Sequence, residues 1–256
     1  MEHILLDPEF HSWAVVSEFA LALITVLLLV CVSAPYGRYE RPGWGPTLPA
    51  PLGWMLMELP AVVVFVLFFL SGDNRSEVVP LLLLGLWQLH YLNRTLVFPF
   101  RMRGRGRRMP IIIALLAVAF NTLNAYINAW WIGHVGAYAI EWLADPRMMI
   151  GTALFLVGWL GNTHSDIILR NLRKPGEAGY KIPHGGLYRW VSAPNYLCEI
   201  AEWTGWAIGT WSMPGLAFAV FTAANLVPRA LSHHAWYKRQ FDAYPPDRKA
   251  LIPFVL

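Results

Sequence analysis

Charged side chains are what this chain has least of. Asp, Glu, Lys and Arg make up 14% of its 256 residues, against 56% for the apolar types. A water-soluble domain carries about 25% charged residues, so there is too little polar side chain here to coat a body wetted on every side. Cysteine is nearly absent. Cys31 and Cys198 sit in apolar runs without a C-x-x-C or Cys/His partner, which argues against a disulfide framework or a zinc site and marks both as expected core residues. The nucleotide motifs of soluble folds are missing as well. There is no G-x-G-x-x-G, no strand-helix alternation to carry one, no G-x-x-x-x-G-K-[ST] and no G-x-S-x-G, so a Rossmann site and a P-loop are excluded. The eight His residues do not form the repeated boxes of a membrane di-iron desaturase, and His233-His234 stands alone. No internal repeat, low-complexity tract or interdomain linker appears. Residues 1–11 carry Glu2, Asp7 and Glu9 but no Lys or Arg, so the positive n-region of a signal peptide is lacking and the first helix is expected to stay in the mature protein.

What is present is apolar sequence in spans. A membrane-crossing helix needs roughly 20 mainly apolar residues, and seven stretches approach that: about 12–34, 52–71, 78–99, 110–134, 147–168, 195–211 and 213–232. Gly and Pro punctuate the intervals. The last two stretches are parted only by a tight turn at Ser212, Met213 and Pro214. Lys and Arg then set the orientation. One side receives Arg38, Arg41, Arg101, Arg103, Arg105, Arg107, Arg108, Arg170, Arg173, Lys174, Lys181, Arg189, Arg229, Lys238, Arg239, Arg248 and Lys249; the other receives only Arg75 and Arg147, and Arg94 falls within a span. The expected fold is therefore an all-α integral membrane protein of seven transmembrane helices, one domain over 1–256, N-terminus outside and C-terminus cytoplasmic. A pI near 9.2 is explained by the same topology. Nucleic acid is not an expected partner, since no aromatic-rich basic groove or known module accompanies the charge.

Ionisable residues inside spans are costly enough to invite a functional reading. Glu58 lies in the second span, His90, Tyr91 and Arg94 in the third, Asn162, His164 and Asp166 at the end of the fifth, and Glu199 and Glu202 in the sixth. Spacings of three and four make His90 with Arg94, Asn162 with Asp166, and Glu199 with Glu202 the natural clusters. Glu58 has a plainer reading as interhelical glue paired with Arg94. Glu18 is expected to face the membrane interface, and Asn121, Asn124 and Asn128 form a stripe typical of helix-helix hydrogen bonding. Between Asn162 and Asn195 the chain gathers Asn162, His164, Ser165, Asp166, Arg170, Arg173, Lys174, Tyr180, Lys181 and Asn195. With Arg105, Arg229, His233 and Tyr237, these form a cytoplasmic-side set of cations, amides and phenols. Guanidinium groups grip phosphate oxygens bidentately, so a large anionic cofactor is the economical reading, with anionic lipid headgroups as the alternative.

In these segments the chain resembles the steroid 5α-reductase family, and a bacterial-type homologue is expected. The resemblance runs from about Tyr36 to the C-terminus. It is densest in NTHSDIILRNLRKPGE at 162–177, and continues through YKIPHGGLY at 180–188, NYLCEIAEW at 195–203 and RKALIPF at 248–254. YG at 36–37, ELP at 58–60 and HYxxRT at 90–95 complete it. The resemblance implies a seven-helix membrane enzyme that uses NADPH to reduce a 3-oxo-Δ4-steroid, with substrate-side helices over about 12–134 and an NADPH-binding half over about 147–256. By position it implies that Glu58 and Tyr91 contact the substrate's 3-oxo group, with Trp54, Met57 and Arg94 beside the substrate. It implies that Asn162, Asp166, Arg173, Asn195, Arg229 and Tyr237 contact NADPH, together with Tyr36, Arg105, Arg170, Tyr180, Lys181, Glu199 and His233. The family usually has Gln-Glu where this chain has Met57-Glu58, and Lys181 stands where Arg is common.

The implied chemistry is hydride addition to C5 of the enone, leaving negative charge on the 3-oxygen that preorganised donors must hold in a dry site. Tyr91 donates as it stands. Glu58 donates only as the neutral acid, the form favoured when a carboxyl is taken out of water. Which group delivers the proton to C4 stays open. A monomer is expected, drawing a steroid or similar lipid from the bilayer, in a bacterial inner membrane or the endoplasmic reticulum according to host, with no metal. The nearest alternative is a related membrane reductase acting on a polyprenol or a trans-2-enoyl thioester. More distant ones are a membrane methyltransferase using S-adenosylmethionine and a transporter using Glu58 and Arg94 as midplane charges, the latter disfavoured because no two related halves are visible.

Overall fold

The computed structural model describes residues 5–35, 37–102, 106–173, 177 and 179–256. Helices dominate it: α1 (Pro8–Cys31), α2 (Ala50–Leu70), α3 (Val78–Leu92), α4 (Phe98–Arg101), α5 (Ile111–Trp130), α6 (Pro146–Asn171), α7 (Pro194–Thr210) and α8 (Met213–Gln240). A π turn over Asn93–Val97 joins α3 to α4, and a second, Trp131–Val135, prolongs α5. The rods stand where the apolar stretches predict them. Among the described residues, four segments are long and apolar enough to cross a membrane: Pro8–Cys31, Ala50–Leu70, Ile111–Val135 and Met213–Gln240. The other three fall short for separate reasons. The α part of the third is 15 residues and α7 is 17. The 26 residues of α6 are long enough, but its last third is polar, from Asn162 to Asn171. The last helix runs two turns beyond the expected end at 232, because Ser232 to Lys238 continue the helical pattern with a face toward a cavity.

Caps and prolines set the ends. Asp7 and Asp145 accept from the backbone N–H groups of Glu9 and Arg147, and Ser212 accepts from that of Gly215, each just ahead of a helix with proline in its first turn. A two-strand hairpin, β1 (Thr47–Pro49) against β2 (Arg108–Pro110), pairs antiparallel with Leu48 opposite Met109. It fixes the starts of α2 and α5 side by side, and those two helices then pack along their length.

The tightest packing joins α6 and α7, with Gly151 facing Gly205 and Gly209, and Gly158 facing Cys198 and Glu202. A Cβ on Gly158 would lie 2.5 Å from the backbone N of Glu202, and one on Gly205 would lie 2.5 Å from that of Phe155. Small residues let helix backbones approach where lipid gives no hydrophobic drive to association. The buried core is aromatic: Phe65, Phe69, Trp87, Tyr91, Phe155, Trp203, Trp206 and Phe218 form one cluster. The asparagine stripe behaves as expected. Asn121 donates to the Met57 carbonyl at 2.6 Å, Asn128 donates to Asn124 Oδ1 at 2.9 Å, and Trp206 donates to Asn128 Oδ1 at 2.9 Å.

Two expectations need correcting. Cys198 is buried, but Cys31 is exposed at the end of α1, because α1 contacts its neighbours along one stripe only (His11, Ala14, Val15, Glu18 and Ala22). Glu18 belongs to that stripe and is wholly buried, not interfacial.

Candidate functional site

Most of the polar residues singled out in the sequence converge on one cavity of about 370 Å³, within the size range of small-molecule sites. It opens between the ends of α1, α2, α6, α7 and α8, the π turn over Asn93–Val97, and α4. Among the described residues its lining holds nine cations (Arg38, Arg94, Arg101, Arg107, Arg108, Arg170, Arg173, Lys181 and Arg229) against three carboxylates, Glu40, Asp166 and Glu199. Segments far apart in sequence supply them, and the tail explains part of the convergence. Ser192 N donates to Lys249 O at 2.8 Å and Ala193 N to Ala250 O at 3.1 Å, clamping the chain just before α7. The Ser192 hydroxyl bonds His234 Nδ1 and Tyr244 OH, each at 2.6 Å.

Arg94 occupies the inner end of the cavity. The π turn adds a residue to the helical repeat at the point where Arg94 leaves α3. Its Nε lies 3.9 Å from Glu58 Oε1 and its Nη1 3.7 Å from Asp166 Oδ2, and its guanidinium lies over the rings of Trp54 at 4.8 Å and Phe98 at 4.5 Å. One buried cation thus joins a carboxyl of α2 to a carboxyl of α6. Asn121 Nδ2 is 3.3 Å from Glu58 Oε2. On the α6–α7 side, Asn195 donates to Asp166 Oδ1 at 3.2 Å, while Asn162 donates to Asn195 O at 3.0 Å and to Glu199 Oε2 at 3.1 Å. Asn162 stands behind this wall rather than on its surface.

The outer wall is aromatic and cationic. The Arg38 guanidinium lies 4.7 Å from the ring centres of Trp236 and Tyr237 and donates to Tyr237 OH at 3.3 Å. Arg173 lies over Tyr180 at 5.7 Å and Arg229 over Tyr196 at 5.1 Å. His233 bonds Tyr39 OH through Nδ1 at 3.2 Å and Tyr196 OH through Nε2 at 3.1 Å. Lys181 pairs with Glu177 at 2.6 Å. Tyr188 is 1% exposed, and burial pushes its phenol well above the ordinary range.

Of the residues expected to hold a cofactor, Asp166, Arg170, Arg173, Tyr180, Lys181, Asn195, Glu199, Arg229, His233 and Tyr237 line this cavity. Tyr36 and Arg105 lie outside the described residues. Trp54 and Arg94 line it too, whereas Met57, Glu58 and Tyr91 stand beyond Arg94, with Glu58 and Tyr91 buried. Two expected clusters divide differently. His90 bonds Glu202 through Nδ1 at 2.7 Å instead of meeting Arg94, and Glu199 turns to Asn162. Arg38, Tyr39, Tyr188 and Tyr196 line the cavity without having been singled out, Arg38 because it reads as a topology charge and the tyrosines because they read as an interfacial belt. The donor set suits an anionic dinucleotide: guanidinium groups for phosphates, amides and carboxylates for ribose hydroxyls, and aromatic faces for rings.

Residues 107–256 match the profile of the family described as 3-oxo-5-alpha-steroid 4-dehydrogenase. The chain is 45% identical to 3-oxo-5-alpha-steroid 4-dehydrogenase 1 of Bos taurus, covering 93% of this chain and 94% of that protein. It is 43% identical to Steroid 5-alpha-reductase DET2 of Gossypium hirsutum, covering 97% and 98%. It is 45% identical to 3-oxo-5-alpha-steroid 4-dehydrogenase 1 of Homo sapiens, covering 86% and 85%. These relatives are animal and plant proteins, so the expected bacterial-type character is not borne out.

Proposed function

The chain belongs to the 3-oxo-5-alpha-steroid 4-dehydrogenase family, and from that premise we propose that it reduces the Δ4 double bond of 3-oxo-Δ4-steroids to 5α-3-oxosteroids with NADPH. The observation that carries the reading is Arg94. It joins Glu58, on the apolar side, to Asp166, on the wall of a cavity lined by nine cations, so a cofactor site and a lipid-facing site meet at one buried side chain. Arg170, Arg173 and Arg229 hold the phosphates. Asp166, Asn195 and Glu199 take ribose and carboxamide groups, and Asn162 fixes the last two by its hydrogen bonds. The bundle crosses the membrane seven times with the cationic cavity facing the cytoplasm, and the flat substrate enters from the bilayer.

Bound NADPH supplies the hydride equivalent that C5 accepts. The protein's part is to hold the charge that then develops on the 3-oxygen. Tyr91 donates to that oxygen, and Glu58 donates to it as the neutral acid, kept in place by Asn121. Donors of this kind are worth about 10²–10³ in rate each. Arg94 closes the compartment from the aqueous cavity and keeps Glu58 and Asp166 in register. Met57 brings no amide, so fewer donors surround the 3-oxygen than the family's usual Gln would provide.

Purified protein in lipid nanodiscs, given NADPH and a 3-oxo-Δ4-steroid, tests the reading. The expected product is the 5α-saturated ketone, formed in step with NADPH oxidation. An intact enone, with reduction of a polyprenol or a trans-2-enoyl thioester instead, would overturn the steroid assignment.

A further inference from the structure

One buried carboxyl has no part in the reaction as described. Glu18 on α1 is 0% exposed, and among the described residues neither of its oxygens has a hydrogen-bond partner. A partnerless carboxyl inside a membrane helix bundle is expensive to keep, and such a group marks a candidate functional position. A neighbouring helix carries the complementary group in the same state. Asn124 is 0% exposed and its Nδ2 has no partner among the described residues, its Oδ1 being taken by Asn128.

Helix levels put Glu18 at the height of Asn121, the residue that reaches Glu58. His11, at the start of α1, bonds the Ile127 carbonyl near the end of α5, while Leu29 and Ser33 share the cavity wall with Met109, just ahead of α5. The two helices therefore run antiparallel. Glu18 lies two turns on from His11, about 10 Å at 1.5 Å per residue. Two turns back from Ile127 is Phe120, next to the Asn121 that reaches Glu58. On α8, Ala217 packs with Ala14 and Val15, so one turn further brings Phe221 level with Glu18. Aromatic rings stand between Glu18 and Tyr91. Phe221 stacks on Phe120 at 3.6 Å, Phe218 meets Trp203 at 4.3 Å, and Trp203 stands 5.7 Å from Tyr91.

We propose that Glu18 is a specificity-determining residue, which accepts a hydrogen bond from a hydroxyl at the end of the steroid remote from the enone, with Asn124 Nδ2 as the companion donor. This rests on the steroid reading above. A hydroxyl both donates and accepts, so it satisfies the carboxyl and the amide together. A skeleton with hydrogen at that position leaves both unpaired, and sites built around buried polar groups reject such analogues strongly. The aromatic rings between the two ends supply flat walls for the fused rings.

The test uses two substrates, a 3-oxo-Δ4-steroid with a 17β-hydroxyl and the same skeleton with hydrogen at C17. The kcat/KM for each is measured with wild type, Glu18→Leu and Glu18→Gln, alongside NADPH binding and thermal melting. Wild type is expected to prefer the hydroxylated substrate at least tenfold. Glu18→Leu should lower that preference tenfold or more while melting no lower than wild type, since it removes an unpartnered carboxyl. Glu18→Gln, which can still accept, should keep most of it. A wild type without preference overturns the proposal whether or not the leucine variant folds, and so does a preference unchanged by either substitution. Reduction of neither steroid by wild type would instead refute the underlying steroid reading, and this inference with it.

Discussion

Replacing Arg94 by leucine tests the junction between the two halves of the site. The guanidinium has oxygens of Glu58 and Asp166 at 3.9 and 3.7 Å, and the three side chains are 12%, 9% and 21% exposed. With Glu58 held as the neutral acid, the contact between full charges is the one to Asp166, worth about 4 kcal/mol before desolvation at an effective dielectric of about 20. Leucine restores volume but leaves the Asp166 carboxylate without its cation, a change that costs about 3–5 kcal/mol when a buried pair is broken. For a chain of this length, about 2–4 °C of melting temperature is lost per kcal/mol, so the detergent-solubilised variant should melt about 10 °C lower. The double variant Arg94→Leu/Asp166→Asn should recover part of that, with a coupling of at least about 1 kcal/mol. Turnover should fall with the single change even at temperatures where the variant stays folded. A melting shift under about 2 °C, with additive single and double effects, would refute the claim that Arg94 ties the two walls together.

Glu58→Leu and Tyr91→Phe should each lower kcat at least about 100-fold with NADPH affinity retained, read by steady-state kinetics and cofactor fluorescence; normal rates in both would remove them as donors to the 3-oxygen. Arg173→Ala should weaken NADPH about ten- to hundredfold, the scale of a charge-assisted hydrogen bond, while the steroid KM moves far less; an equal change in both would argue against a phosphate contact. Asp145 is held down to about 2 by hydrogen bonds from the Arg147 side chain and backbone. With the folded value below the ordinary 3.8, its capping of α6 is present above about pH 4 and lost as pH falls toward 2. Wild type and Asp145→Asn should therefore differ in melting temperature at pH 7 and converge near pH 2, and a constant difference would contradict the cap.

The helical stretches were legible because apolar length and Gly/Pro punctuation report them directly. The cationic cavity was legible because Arg170, Arg173 and their neighbours are crowded within one polar run. Registers between helices were not. Periodicity puts His90 and Arg94 on one face, but the π turn at Asn93–Val97 re-aims Arg94 toward Glu58 and Asp166 and leaves His90 to Glu202. Glu18 sits one turn from Ala14 and Ala22, and only the packed neighbours α5 and α8 reveal that this stripe is interior. Arg38 carries the same charge as any topology arginine, and its role comes from Trp236 and Tyr237, about two hundred residues away.

The account rests on an anionic dinucleotide in the basic cavity meeting an enone in the apolar bundle. Turnover of a 3-oxo-Δ4-steroid with NADPH deuterated at nicotinamide C4 tests that most directly. The account predicts one deuterium at C5 of the saturated product, on the α face, and a solvent-derived proton at C4. Label at C4, or a saturated product without label from either stereospecifically deuterated cofactor, would contradict it.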